Sequence, residues 1–110
     1  MKFETLELDQ EYVAKLQGYK FGESWVERCI RSAKAKLWLD TYCEIFDRED
    51  KKLGNCVHAG FMSYRRKDGQ PITQDDEDAM KVLDHGQSNW FTVADDRSTM
   101  THRWYCDSGD

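Results

Sequence analysis

Apolar residues recur along this chain first with a helical spacing and, past Gly54, with a period of two. At the start, Phe3, Thr5 and Glu7 alternate with Glu4, Leu6 and Leu8, a short strand-like signal. Asp9 then offers a helix N-cap, and Tyr12, Val13 and Leu16 share a helical face with Leu8. Gly18 is placed to stop that helix in the left-handed conformation, which predicts a first helix over residues 10–17.

The next segment is the most informative. Ser24 with Glu27 three residues on has the form of a capping box. Val26, Cys29, Ile30, Ala33 and Leu37 follow as one apolar stripe, expected to pack on the domain's own sheet. A second stripe, Ala35, Trp38, Leu39, Tyr42 and Phe46, begins before the first ends and lies on nearly the opposite side. Residues 24–46 therefore read as one sandwiched helix, as a helix kinked near Lys36, or as a helix that gives way to a strand within 37–46. An exposed row of Trp38, Tyr42 and Phe46 would suit an interface, because aromatics concentrate there; the plainer reading is core.

After Gly54, Val57, Ala59, Phe61 and Ser63 alternate with His58, Gly60, Met62 and Tyr64. Asp68-Gly69 is a strong hairpin signal and predicts a return through Gln70 to Ile72. Thr73 caps a third helix whose first turn holds Asp75, Asp76, Glu77 and Asp78, with Ala79, Met80 and Leu83 as its buried edge and Gly86 as its stop. The tail predicts strands at Asn89–Ala94 and Thr99–Cys106 joined by Asp95-Asp96-Arg97-Ser98. Together these elements predict a single α+β domain over residues 1–110: a small antiparallel sheet of three to five strands with two or three helices on one face.

Composition changes the picture in two ways. The 110 residues are long enough to fold without staples, and 13% aromatic content supplies a core. The net charge of −5 is unevenly spread: residues 1–50 carry 8 basic and 11 acidic side chains, residues 51–72 carry 5 and 1, and residues 73–110 carry 3 and 9. An acidic domain repels phosphate backbones, so nucleic-acid binding is disfavoured. Tyr64-Arg65-Arg66-Lys67 is the local exception, a candidate phosphate-binding segment whose plainer reading is the solvated end of a hairpin. No apolar run could span a bilayer, and the first residues lack the apolar stretch of a secretory signal. Membrane association is not expected, and the expected compartment is the cytoplasm, with four reduced cysteines.

Cysteine and histidine raise the question of a metal. Cys56 and His58 would share a face of a strand, and His102 and Cys106 stand four apart. Four apart on a strand is about 13 Å, too far for one ion, and neither pair has a C-x-x-C knuckle. The expectation is no metal, no cofactor and no catalytic residue; the polar loop His85–Trp90 carries no motif either. The expected function is a small acidic protein-binding module, of inhibitor or immunity type, with the texture of phage or mobile-element accessory proteins. Its partner-binding residues would be Trp38, Tyr42, Phe46, Asp75, Asp76 and Asp78, facing a protein with a basic surface or a second copy in a homodimer. The alternatives are a nucleic-acid or nucleotide binder acting through 64–67, or a small Cys/His zinc module.

Overall fold

The computed structural model describes residues 2–18, 22–53, 56–83 and 89–105, with the side chains of residues 53, 56–58, 89 and 105 outside the described set. Its elements are a 3-10 turn at Lys2–Thr5, α1 (Gln10–Gly18), α2 (Glu23–Tyr42), β1 (Cys43–Leu53), β2 (Cys56–Arg66), α3 (Gln74–Leu83), β3 (Asn89–Val93) and β4 (Met100–Tyr105). The four strands form one antiparallel sheet in the order β1-β2-β4-β3. The α+β class is as expected.

Local chemistry accounts for most boundaries. Asp9 caps α1, its Oδ1 accepting from Glu11 N at 2.8 Å. Thr73 and Asp76 form a reciprocal capping box on α3: Thr73 Oγ1 accepts from Asp76 N at 3.2 Å and Asp76 Oδ2 from Thr73 N at 2.9 Å. In the β3–β4 turn Ala94 N donates to Thr99 O, and Arg97 takes a left-handed φ of 59°. Arg97 also binds across the fold. Its Nε donates to Ile72 O, its carbonyl accepts from Ile72 N, and its guanidinium pairs with Glu77 at 2.5 Å.

Several expectations need correction. Residues 3–8 are not a strand: Lys2–Thr5 is a 3-10 turn that drops Phe3 into the core. Gly18 is the last residue of α1, but the described glycine with positive φ is Gly69. Ser24 does not cap α2, which starts from Gly22 with no side-chain cap. Residues 37–46 are divided, helix to Tyr42 and strand from Cys43. The buried side of α2 is Ala35, Trp38 and Leu39, while Leu37 of the other stripe lies exposed. Trp38 decides this, because its large ring offers the most area to bury and its N–H needs a partner inside.

The hairpin expected across Asp68-Gly69 is also absent. The turn forms, with Gly69 N on Arg66 O and φ +74°, but the chain runs on to α3 instead of returning along β2. Pro71 has no N–H for a ladder, and Ile72 is held by Arg97 and buried. The partners of β2 are β1 and the distant β4. Gly86, the expected end of α3, lies outside the described residues.

Cross-strand neighbours point to the same face. The rows Tyr64–Met100–Val93 and Met62–His102–Phe91 face the helices, where Phe3, Ala35, Trp38, Leu39, Ile72, Ala79 and Met80 close the core. Gly60 stands opposite Trp104 on this face. A Cβ there would meet the Trp104 indole and come within 2.5 Å of Glu49 O. Gly60→Ala is therefore expected to lower stability by about 1–3 kcal/mol in denaturant unfolding; a change below about 0.5 kcal/mol would show that Trp104 does not depend on that space.

Candidate functional site

Three groups of residues stood out by chemistry, and the fold treats them differently. The first is the acid cluster of α3. Asp76 is fully buried. Its Oδ1 accepts from Trp38 Nε1 at 2.8 Å, and Arg66 Nη1 reaches both carboxylate oxygens at 2.9 and 2.7 Å. Burial by itself would push its pKa up. The Thr73 N–H, then the Arg66 guanidinium and the Trp38 N–H, outweigh that and hold the carboxyl below the usual range. Asp76 thus joins α2, β2 and α3 and offers nothing to a partner. Asp75 accepts from Lys2 N and Asp78 from Gln74 Nε2, so both are engaged within the fold.

The neighbouring thiol is shaped by the same node. Burial, helped by the Asp76 charge, pushes Cys43 up to about 12, so it stays protonated and is no nucleophile. Of the other chemistry-bearing pairs, Cys106 and the segment 84–88 with His85 lie outside the described residues, as do the side chains of Cys56 and His58. No cluster of three metal-binding side chains occurs among the described residues.

The basic segment is the second group. Tyr64 faces the helical layer, and burial raises its pKa. Arg65 pairs with Glu44 at 2.9 Å. Arg66, with an 11% exposed side chain, is held by Asp68 and Asp76. Lys67 donates to the α2 C-terminus, its N–H to Tyr42 O at 2.9 Å and its Nζ to Asp40 O at 2.6 Å. The segment is a strand end rather than a hairpin, and three of its four members neutralise the protein's own acceptors.

The aromatic group splits. Trp38 is core, and Tyr42 lies half-exposed with its ring centroid 4.4 Å from Trp38 and the Arg66 guanidinium 5.5 Å from its own. Phe46 is the extra residue of a bulge between Ile45 and Asp47 and lies 43% exposed with Arg65 5.1 Å from its centroid. The expected set of Trp38, Tyr42, Phe46, Asp75, Asp76 and Asp78 is therefore not one surface.

A different surface emerges on the sheet face away from the helices. The rows Ser63–Thr101–Thr92 and Phe61–Arg103–Trp90 point there. Ser63 and Thr101 hydrogen-bond at 2.9 Å, and Arg103 lies 5.3 Å from the Phe61 ring centroid. Trp90 is 50% exposed. Phe61 and Arg103 were not singled out in the sequence, and Trp90 only as the end of the polar stretch 85–90, although Phe61 falls in the strand phase opposite to Met62 and Tyr64, a sign of two apolar faces. The molecule measures 41 × 37 × 19 Å, and its radius of gyration of 15.6 Å exceeds the roughly 13 Å of a compact chain this long. The described helices pack on the other face of the sheet, and on this one Trp90 and Arg103 are exposed while Ser63 is buried between its neighbours.

Fold and surface together define a small α+β domain with one sheet face packed and one open. No family model, curated protein or solved structure matches the chain. None of the described helices is long and apolar enough to cross a membrane.

The lowered pKa of Asp76 sets a pH window. Its contribution is present above the unfolded carboxylate value of about 3.9 and is lost as pH falls through the lower folded value. Asp68 and Asp96, held down by hydrogen bonds from Arg66 and Ser98, act in the same direction. Unfolding followed by circular dichroism should show stability falling below about pH 4, less steeply in Asp76→Asn; equal stability at pH 7 and pH 3 would contradict this.

Proposed function

We propose that this chain is a non-catalytic protein-binding module whose contact surface is the open face of its sheet. The observation that carries the reading is the row Phe61–Arg103–Trp90, with Phe46 and Arg65 at its margin, on the face opposite to the one where the described helices pack. Aromatic side chains and arginine are the residue types that dominate binding energy at protein interfaces, above all when rings are presented beside guanidinium groups. An antiparallel sheet with one solvated face would ordinarily be polar there, so three large rings are a departure.

The charge on this face indicates the partner. Arg65 is matched by Glu44, whereas Arg103 has no ion pair among the described residues. The partner is a protein surface with an apolar or aromatic centre and a carboxylate placed for Arg103. This replaces the basic target expected from Asp75, Asp76 and Asp78, of which Asp76 is buried and the other two accept surface hydrogen bonds from Lys2 and Gln74. Pairing through the free edge of β1 is disfavoured, because Glu44, Asp47, Arg48, Glu49, Asp50, Lys51 and Lys52 charge that strand throughout. Cys29 and Cys43 are both free thiols, which suits a reducing compartment such as the cytoplasm.

The test combines native mass with two substitutions. The wild-type chain, offered to the soluble proteins of the cell that makes it, should retain one partner at fixed stoichiometry. Trp90→Ala and Phe61→Ala should each weaken that complex by about 2 kcal/mol or more, and Trp90→Ala should leave the melting temperature nearly unchanged because that ring is half in solvent. A complex indifferent to both changes sinks the reading. A homodimer that both changes dissolve would identify the partner as a second copy.

A further inference from the structure

We propose that the groove bounded by α1, α2 and α3 binds a small phosphorylated ligand with a planar ring, of the nucleoside phosphate class. This goes beyond the protein-binding reading and uses the opposite side of the molecule. The groove has a volume of about 690 Å³, within the range of small-molecule sites. Tyr12 of α1, Trp25, Arg28, Arg31 and Lys36 of α2, and Lys81 of α3 line it, and no aspartate or glutamate does among the described residues. That is a departure in a chain with 21 acidic and 16 basic side chains.

Helix geometry explains the arrangement. Residues 25, 28, 32 and 36 recur at three- and four-residue spacing, so Trp25, Arg28, Ser32 and Lys36 form one row along α2. The row runs about 16 Å at 1.5 Å per residue, with the indole at one end and cations along it. Two of the four cations are partly matched: Arg31 by Glu4 at 3.1 Å and Lys36 by Asp40 at 3.4 Å, both exposed and weakly bound pairs. Arg28 and Lys81 have no ion pair among the described residues. The C-terminal end of α3 contributes a partial negative charge of about one half, less than these two cations supply.

Size and surroundings favour a small anion over a polymer. A nucleic acid or an acidic protein reaching past the groove would meet the acidic remainder of the surface and be repelled. Among the described residues, the charged side chains that line the groove are all cations. The half-exposed rings of Tyr12 and Trp25 supply stacking area for a base, which is tolerant of base identity.

The experiment is calorimetric titration of the full chain at low salt with ATP, AMP, adenosine and inorganic tripolyphosphate, with amide spectra to locate the shifts. ATP should bind below about 1 mM, more tightly than AMP, adenosine or tripolyphosphate. Arg28→Glu combined with Lys81→Glu, both at exposed positions, should weaken ATP by about tenfold or more while the melting curve stays in place. Trp25→Ala should remove the preference of ATP over tripolyphosphate. Absence of saturable binding at about 5 mM, or ATP binding that survives the charge reversal, overturns the proposal. So does an aspartate-rich peptide that binds where the nucleotides do not.

Discussion

A single buried carboxylate, Asp76, determines how the two layers of this fold meet. It has no exposed surface, and its oxygens are occupied by the indole N–H of α2, the guanidinium at the end of β2 and the first backbone N–H before α3. Such a group is tolerable inside only when its lone pairs are taken, so each donor must be where it is. Trp38 must face inward, which sets the rotation of α2. Arg66 must turn under α3, which fixes the last pair of the β1–β2 ladder, Cys43 with Arg66. A buried ion pair of this kind contributes more to a unique geometry than to net stability, since its desolvation offsets much of its attraction.

From that geometry follows a domain finished on one side only. The helices converge on the Asp76 end and cover the rows of Tyr64 and Met62. The opposite face carries Phe61, Trp90 and Arg103, with Trp90 half in solvent, and the bulge at Phe46 adds a ring to its margin. The long β1–β2 ribbon continues past the stretch where β4 pairs, residues 59–64 of β2, and this extension makes the molecule flat rather than round. Thus the placement of one carboxylate decides which aromatics serve the core and which remain at the surface.

Much of the fold was legible in the chain. Helix caps and turns are local chemistry, so Asp9, Thr73 and the Asp95–Ser98 turn announced their elements. The α+β class followed from the switch of periodicity. The strand β1 was obscured because it is a charged edge, where acids and lysines on both faces erase the alternation that marks a half-buried strand. The hairpin at Asp68-Gly69 failed because pairing of β2 with β4 is a long-range event, outside the reach of turn propensity. The candidate surface was half legible. Phe46 was weighed as interface material against a plainer core reading, while Trp90 and Arg103 meet Phe61 only through cross-strand register. Asp76 looked like three other acids of its helix, and nothing local separated a buried hub from its solvated neighbours.

Equilibrium unfolding of Asp76→Ala in urea at neutral pH shows what that hub holds in place. The substitution leaves the Arg66 charge nearly buried and strands the donors of Trp38 and Thr73. The expected loss is about 3–5 kcal/mol, with the Trp38 environment altered in near-ultraviolet dichroism. A loss below about 1 kcal/mol with unchanged aromatic signals would contradict it, showing that the helices find their place on the sheet without the buried carboxylate.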